Sequence, residues 1–338
     1  MKIETDKAEF IAGVRSDKTL GSPVAFLIEN RDYEAWTDVM DAFGENSDRR
    51  KVTAVRPGHA DFVGCMKYGF SDARNVLERS SARETAARVG VGAVCKALLK
   101  CVGVEIGSHV LRIGSVRAEE KPRLARELIE NADKSDVRTL DIAAAEKMRA
   151  EIDEAKKRGD TLGGEIEIIV GGFPPCVGSY VQSDRRLDGL LAGAVLGVQA
   201  IKAVEVGDYA RGSLYGSETG DEIFPVGDGY ERKTNHAGGI EGGMSNGEQI
   251  VIRAVMKPIP TLKSGLKTVD IESGKEAVAD GERSDVCAVP AAAVVLESVI
   301  ACVLADELLK VCGGDTVGEV KQAALRLREK AKYTRLKN

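Results

Sequence analysis

The sequence is poor in aromatic residues and rich in glycine. Phe, Trp and Tyr together make up 4% of its 338 residues, whereas 37 residues are glycine and 43% are hydrophobic. A chain of this length and hydrophobicity buries a substantial core. Because aromatic side chains are scarce, that core must be filled mainly by Ala, Val, Ile and Leu on closely packed elements. We therefore expect a folded globular protein with close backbone approaches.

The sequence also lacks an excess of positive charge and any paired cysteine motif. Its formal net charge is −5, which argues against a general nucleic-acid surface, because phosphate-backbone binding needs a broad excess of Lys and Arg. The seven cysteines form no CxxC pair and are odd in number, which favours reduced thiols in the cytoplasm over a disulfide framework. An anionic ligand must therefore be met by a local basic cluster.

Signals for export, membrane insertion and metal binding are missing as well. The residues after Met1 are charged, so we expect no signal peptide. The one long apolar run, residues 286–305, contains Pro290 and Glu297, which favours a buried helix of a soluble core over a membrane span. No dinucleotide or Walker fingerprint, metal-ligand spacing or Ser-His-Asp triad is present. We expect no metal, membrane or nucleic acid as partner.

Hydrophobic periodicity predicts an α+β protein. Polar–apolar alternation predicts strands at 1–14, 21–30, 163–175 and 247–261, the first two paired antiparallel across a turn around 16–18. Helical spacing and end signals predict helices at 78–100, at 139–160, from about Pro290 to Cys312, and in the basic tail. Strands are grouped before and after long helices without regular alternation, which favours α+β over a doubly wound sheet.

Two polar clusters lie in the first third of the chain, at predicted element ends where loops place functional groups. In RPGHAD, residues 56–61, Pro and Gly fix a turn that presents His59, a side chain that exchanges a proton near neutral pH. ERSSARETAAR, residues 78–88, places Arg79, Arg83 and Arg88 around a helix start, where amides and the helix dipole suit a phosphate. A structural histidine and an ordinary capped helix are the alternatives.

Two further clusters lie in the second half. NHAGGIEGGMSNG, residues 235–247, contains glycines that let the backbone approach a flat or phosphorylated ligand, or that serve a hairpin or bulge. GERSDVCAVP, residues 281–290, places Arg283 and Asp285 before a long helix, where a cap or an ion pair is the alternative. A binding function requires these clusters to act together.

Six segments of the chain together resemble the chorismate synthase family. They are RPGHAD, ERSSARETAARV, GDTLGG, NHAGGIEGGMSNG, MKPIPT and RSDVCAVPAA, and they occur in that family's order between about position 1 and about position 310. Each segment is modest alone, but six in one order point to this family. The resemblance implies a β-α-β sandwich with antiparallel sheets around a helical core, one domain over residues 1–338, and a homotetramer.

The resemblance also implies an activity, the anti-1,4-elimination of phosphate from 5-enolpyruvylshikimate 3-phosphate to give chorismate, the last common step of the shikimate pathway. That reaction needs reduced FMN without net redox change, and NADPH is the candidate reductant. A reduced flavin donates electron density and accepts a proton, while positive side chains hold two anionic ligands in a water-poor site. This requirement would account for basic clusters in an acidic chain.

The same resemblance assigns roles to individual residues. His59 matches the histidine that manages protonation of the reduced flavin, and Asp285 matches the acidic residue of the same proton chain. The residues expected to contact FMN are Arg79, Ser80, Ser81, Gln199, Ala200, Gly242, Lys257, Pro258, Ile259, Pro260, Thr261 and Arg283.

The sequence departs from the family pattern at its amino end. Family members carry several dozen residues ahead of the point that matches Met1. These residues include a Gly-Glu-Ser-His-Gly segment, whose histidine is the proposed acid for the departing phosphate, and an Arg-rich loop. One alternative prediction is therefore a catalytically impaired, amino-terminally incomplete member that retains only FMN binding or subunit interaction. Another is an NADPH-dependent flavin reductase.

Overall fold

The computed structural model describes residues 6–43, 49–121, 123–208, 215–227, 229–279, 281 and 284–332. The chain forms two compact units, which we call unit 1 (Met1–Gly90 and Pro260–Ser284) and unit 2 (Val91–Ile259 and Asp285–Asn338).

The helices and strands of the described residues are numbered in chain order. The helices are α1 (Asp61–Tyr68), α2 (Arg74–Ser80), α3 (Thr85–Cys101), α4 (Ala125–Asn131), α5 (Ile142–Arg158), α6 (Leu187–Leu196), α7 (Gly216–Thr219), α8 (Val289–Cys312) and α9 (Val317–Lys332). The strands are β1 (Ala8–Ala12), β2 (Val14–Arg15), β3 (Lys18–Thr19), β4 (Ala25–Ile28), β5 (Glu105–Ile113), β6 (Val116–Arg117), β7 (Gly164–Gly171), β8 (Ile201–Val206), β9 (Ile223–Val226), β10 (Gly229–Arg232), β11 (Ile240–Glu241), β12 (Met244–Ser245), β13 (Ile250–Met256), β14 (Lys267–Val269) and β15 (Glu276–Val278).

Unit 1 begins with the predicted antiparallel pair, since β1 pairs with β4. Between them, β2 and β3 form a small hairpin whose turn residues, Ser16 and Asp17, have φ of 48° and 59°. Residues 1–5 of the predicted first strand lie outside the described residues. A small core of Val52, Val55, Cys65 and Ala73 packs α1 and α2 together.

The helix predicted at 78–100 is confirmed in α3, but the prediction of one continuous helix is wrong. The chain forms α2, leaves the helical conformation at Ser81 (φ −60°, ψ 134°), makes a 3-10 turn at Ala82–Glu84 and then enters α3. The Ser81 hydroxyl accepts a hydrogen bond from the Arg83 amide at 3.2 Å, and the Glu84 carboxylate accepts one from Arg88 Nε at 3.0 Å. Serine side chains that bond nearby amides compete with helix continuation in this way.

Unit 2 is built on a five-stranded sheet in the order β6-β5-β7-β13-β8, with every neighbouring pair antiparallel. Helix α8 packs on β5 and β7, and its Leu296, Ile300 and Leu304 are completely buried. By length and composition α8 could span a membrane, but 67% of its most apolar window is buried. The predicted buried helix, the strands at β7 and β13 and the α+β class are confirmed.

The predicted ends of the long helices follow local chemistry. Asp141 Oδ1 accepts a hydrogen bond from the Ala144 amide at 3.0 Å before α5, and Gly159 ends that helix with φ 70°. Gly313, with φ 62°, ends α8. Glycine suits both ends because a left-handed residue closes a helix without steric cost only when Cβ is absent.

Candidate active site

The His59 segment of unit 1 begins with a tight turn. The His59 amide donates to the Arg56 carbonyl at 3.2 Å, and Gly58, the third residue of the turn, has φ 77°. Proline at the second position and a left-handed glycine at the third are typical of a type II turn. The turn therefore presents His59 just before α1 begins at Asp61.

A buried two-point ion pair joins the ends of this segment. Arg56 Nε donates to Asp61 Oδ2 at 2.8 Å and Nη2 donates to Oδ1 at 3.2 Å. The exposed fraction is 7% for Arg56 and zero for Asp61. Arg56 Nη1 donates in addition to the hydroxyl of Thr261 at 2.7 Å, so this predicted FMN contact and the histidine segment share one network.

His59 lies against the same carboxylate, with Nδ1 2.5 Å from Asp61 Oδ1 and 3.1 Å from Arg56 Nη2. Burial opposes the charged form of Asp61, but hydrogen bonds from His59 and Arg56 outweigh it and hold the pKa of this carboxyl well below its usual range. Since an ionised carboxylate only accepts hydrogen bonds, this contact favours a tautomer of His59 with the proton on Nδ1 and the lone pair on Nε2.

The interruption between α2 and α3 separates the arginines of the second cluster. Arg83 donates to both carboxylate oxygens of Asp6, at 2.7 and 2.8 Å, and Arg88 is paired with Glu84. Arg79 is exposed and its guanidinium has no hydrogen-bond or ion-pair partner among the described residues. Ser80 Oγ is buried, and within the same part of the chain no group bonds it. Arg79 and Ser80 are thus the side chains here with unused hydrogen-bonding capacity.

In unit 2, Ala200 and Lys257 are held side by side where β8 and β13 pair. The Lys257 amide donates to the Ala200 carbonyl at 2.9 Å, and Ala200 has φ 66°. A left-handed alanine is uncommon and costs energy. Burial lowers the pKa of Lys257, and the neighbouring charge of Lys202 lowers it further. The charge of Lys202 therefore acts on the Lys257 ammonium group.

The GDTLGG segment, residues 159–164, forms hydrogen bonds to two other segments of unit 2. Thr161 donates its hydroxyl hydrogen to the Ile259 carbonyl at 2.6 Å, and the Leu162 amide donates to the Val286 carbonyl at 2.8 Å. A Cβ at Gly163 would lie 2.3 Å from the carbonyl oxygen of Met256. Only glycine therefore permits the backbone at residue 163 to lie this close to Met256. The close packing holds the predicted contact residues Lys257–Ile259 in place, and the hydrogen bond of Leu162 holds the segment that follows Asp285.

The glycine-rich segment forms a hairpin, one of the two alternatives open from sequence. Gly242 and Gly243, with φ of 58° and 83°, make the two-residue turn between β11 and β12. A Cβ at Gly239 would lie 2.5 Å from the Gln249 carbonyl oxygen, so that glycine serves backbone packing. At Gly242, by contrast, a Cβ would meet no atom of the described chain within 4 Å, and this position is exposed.

The remaining predicted residues are placed as follows. Ser81 caps the 3-10 turn in unit 1, where Pro260 is partly buried. Gln199 and Ile259 of unit 2 are partly buried, while Pro258 and Asp285 are exposed. Arg283 lies outside the described residues.

Sequence reasoning missed four contributors: Arg56, Asp61, Thr161 and Gly163. All four lie inside segments that carried the family resemblance, so position in RPGHAD or GDTLGG was the available signal. The pairing of a basic and an acidic residue five positions apart across a Pro-Gly turn was a second signal for Arg56 and Asp61.

Comparisons with known proteins agree over almost the whole chain. The family model described as chorismate synthase matches residues 1–309. A chorismate synthase of Alkaliphilus metalliredigens is 52% identical over 324 residues, which cover 95% of this chain and 85% of the relative. One of Chlorobaculum tepidum is 50% identical, over 97% of this chain and 87% of the relative. A solved chorismate synthase crystal structure is 39% identical, with a TM-score of 0.77 over 97% of this chain and 85% of that chain.

Proposed function

The chain belongs to the chorismate synthase family and is a lyase of that family, and we propose that it eliminates phosphate from 5-enolpyruvylshikimate 3-phosphate with reduced FMN bound. The observation that carries the proposed site is the placement of His59. This residue matches the flavin-side histidine of the family, and it rests on a buried, ionised Asp61.

The proposed reaction breaks the C–O bond to phosphate and a C–H bond at the far end of a 1,4 system. Phosphate leaves with the bonding electron pair, the hydrogen is removed from the opposite face, and a second ring double bond forms, so that there is no net redox change. Reduced FMN, when bound, supplies electron density to the developing allylic cation and takes up a proton. His59, with its proton on Nδ1, has Nε2 available to accept and return a proton.

Unit 1 fits a flavin contact through its unused polar groups. A buried hydroxyl without a partner is rare in folded proteins and points to a group that is supplied from outside the chain. Ser80 Oγ is such a hydroxyl within the described residues, and Arg79 lies beside it in sequence with its guanidinium exposed. We therefore assign Ser80 a hydrogen bond to the flavin and Arg79 a charge contact to an anionic group.

Unit 2 also fits a flavin contact, through charge and space. Lys257 is partly buried, and Lys202 repels it, so an anion such as the flavin phosphate would stabilise both ammonium groups. The open side of Gly242 leaves room for a flat ring against the backbone. The left-handed Ala200 holds the backbone beside Lys257.

Other assignments rest on the resemblance alone. They are the FMN contacts of Ser81, Gln199, Pro258, Ile259, Pro260, Thr261 and Arg283, and the proton-chain role of Asp285. NADPH as reductant, a homotetramer, a cytoplasmic location and one functional domain over the whole chain are proposed on the same ground.

The test is anaerobic phosphate release by the 338-residue protein, with chemically reduced FMN and with flavin binding followed in the same sample. We expect turnover on the order of 1–10 s⁻¹ with reduced FMN and none with oxidised FMN. His59→Ala should lower turnover by about 10²–10⁴ while leaving most FMN affinity, whereas Arg283→Ala should weaken FMN binding. Flavin binding without phosphate release would favour a protein that only binds flavin, and oxidation of NADPH without phosphate release would favour a flavin reductase.

A further inference from the structure

The proposed elimination gives Asp61 no role of its own, although more contacts hold its carboxylate beside His59 than an ordinary ion pair requires. We propose that Asp61 is the positioning residue of His59, and that its carboxylate fixes the orientation of the imidazole and keeps the proton on Nδ1, so that Nε2 exchanges the proton of the reaction. This inference rests on the proposed role of His59.

The carboxylate of Asp61 is held from both of its oxygens. Oδ2 accepts from the Arg56 amide at 3.1 Å and from Arg56 Nε at 2.8 Å. Oδ1 accepts from Arg56 Nη2 at 3.2 Å and lies 2.5 Å from His59 Nδ1. Any rotation of the carboxylate breaks several of these contacts at once. The group therefore presents one fixed acceptor to the imidazole ring.

Arg56 is fixed in turn by a residue distant in sequence. Its Nη1 donates to the hydroxyl of Thr261 at 2.7 Å, and the Pro-Gly turn closes between Arg56 and His59. The arginine and aspartate side chains are 8% and 0% exposed, whereas that of His59 is 21% exposed. The supporting pair is thus sealed from water, and the imidazole that it supports remains reachable.

The electrostatics leave only one ring nitrogen of His59, Nε2, for proton exchange. Among the described residues, the charged groups that contact His59 are Asp61 and Arg56, and their charges cancel. Asp61 stays ionised, because its pKa is held well below the usual range by the His59 and Arg56 hydrogen bonds despite its burial. The carboxylate therefore does not take the proton from Nδ1. A proton accepted by His59 must arrive at Nε2 and leave from it.

The first test is the imidazole tautomer, read by ¹⁵N NMR in the wild-type protein. The chain has three histidines, so loss of one signal set in His59→Gln assigns the resonance. We expect His59 to carry its proton on Nδ1 at a pH where the ring is neutral. A wild-type His59 protonated on Nε2 overturns the proposal, whatever the activity of the enzyme.

The second test is Asp61→Asn, in which the ionic acceptor is lost and the shape is kept. We expect kcat to fall by about 10²–10⁴, as for loss of an orienting carboxylate or of general acid–base catalysis. KM and FMN affinity should change less than about threefold, since no contact to either ligand is assigned to Asp61. The ring should show mixed tautomers, because the ionic acceptor that favours the proton on Nδ1 is lost.

Matched variants separate positioning from stability. Asp72→Asn removes a partly buried carboxylate of the same unit that accepts from the Val52 and Arg74 amides at 2.9 and 2.8 Å, and it should leave the tautomer and the pH profile unchanged. Asp61→Glu retains the carboxylate and should retain the Nδ1 proton and more of kcat than Asp61→Asn. If Asp61→Asn does not fold, Asp61→Glu and the tautomer of the wild-type protein still decide whether Asp61 positions His59.

The outcomes also distinguish this proposal from the proposed function. A folded Asp61→Asn with wild-type tautomer, kcat and pH profile refutes positioning while phosphate release stands. A wild-type protein without phosphate release refutes the proposed function, and its NMR tautomer still reports on the Asp61–His59 pair.

Discussion

Replacing Arg56 by leucine tests whether the His59 segment depends on a buried ion pair. Arg56→Leu leaves the Asp61 carboxylate completely buried, with His59 as its remaining side-chain partner, and removes the donor to Thr261. Loss of one partner of a buried pair typically destabilises a protein by about 3–5 kcal/mol, because the other charge stays uncompensated. We expect Arg56→Leu to lower the free energy of unfolding by about that amount at pH 7.

The pH dependence of this loss has a definite sign. In the wild-type protein the folded pKa of Asp61 is depressed, so the stability that its contacts contribute is full above the unfolded pKa of about 3.9 and is lost as pH falls toward the folded value. In Arg56→Leu the carboxyl protonates more readily, which relieves the buried charge. The difference between variant and wild type should therefore shrink between pH 6 and pH 3.

Urea unfolding followed by fluorescence measures this difference directly in unit 1, because the only tryptophan of the chain is Trp36. Arg49→Leu is the matched control, since Arg49 and its partner Asp38 are 71% and 77% exposed. Exposed pairs contribute roughly 0.2–1 kcal/mol. A loss below about 1 kcal/mol in Arg56→Leu, or one independent of pH, would refute the buried-pair argument.

Two further substitutions test the proposed flavin contacts in each unit. Gly163→Ala places a Cβ 2.3 Å from the Met256 carbonyl oxygen. Calorimetry should show weaker FMN binding, and the free energy of unfolding should fall by about 1–3 kcal/mol. Gly193→Ala, where a Cβ on α6 meets nothing within 4 Å, should be neutral or stabilising. Arg79→Ala should weaken FMN binding at least tenfold, about 1.4 kcal/mol, whereas Arg88→Ala, which removes a paired arginine, should not. Equal affinities in the two arginine variants would contradict the assignment of Arg79.

Local chemistry in the sequence was enough to predict the helices and strands whose signals lie within a few residues of one another. The alternation that predicted β7 and β13, the Gly159 end of α5 and the long apolar run of α8 all appear in the structure. The six ordered segments also identified the family, because motif residues keep their order in the chain whatever the path between them. The α2–α3 interruption was missed, since Ser81 could equally cap or break a helix.

Contacts between distant residues were decided by the tertiary structure. The hydrogen bond between Arg56 and Thr261 joins residues 205 positions apart, and the contact of Thr161 with Ile259 spans 98. No periodicity or spacing encodes such pairs, because they depend on how the whole chain folds back on itself. The sequence therefore predicted His59 as a site residue, whereas the burial of Asp61 against Arg56, which only the structure shows, is the ground for the protonation state and orientation that we propose for that histidine. Burial decides this because a carboxylate removed from water must be held by the donors that the fold places around it.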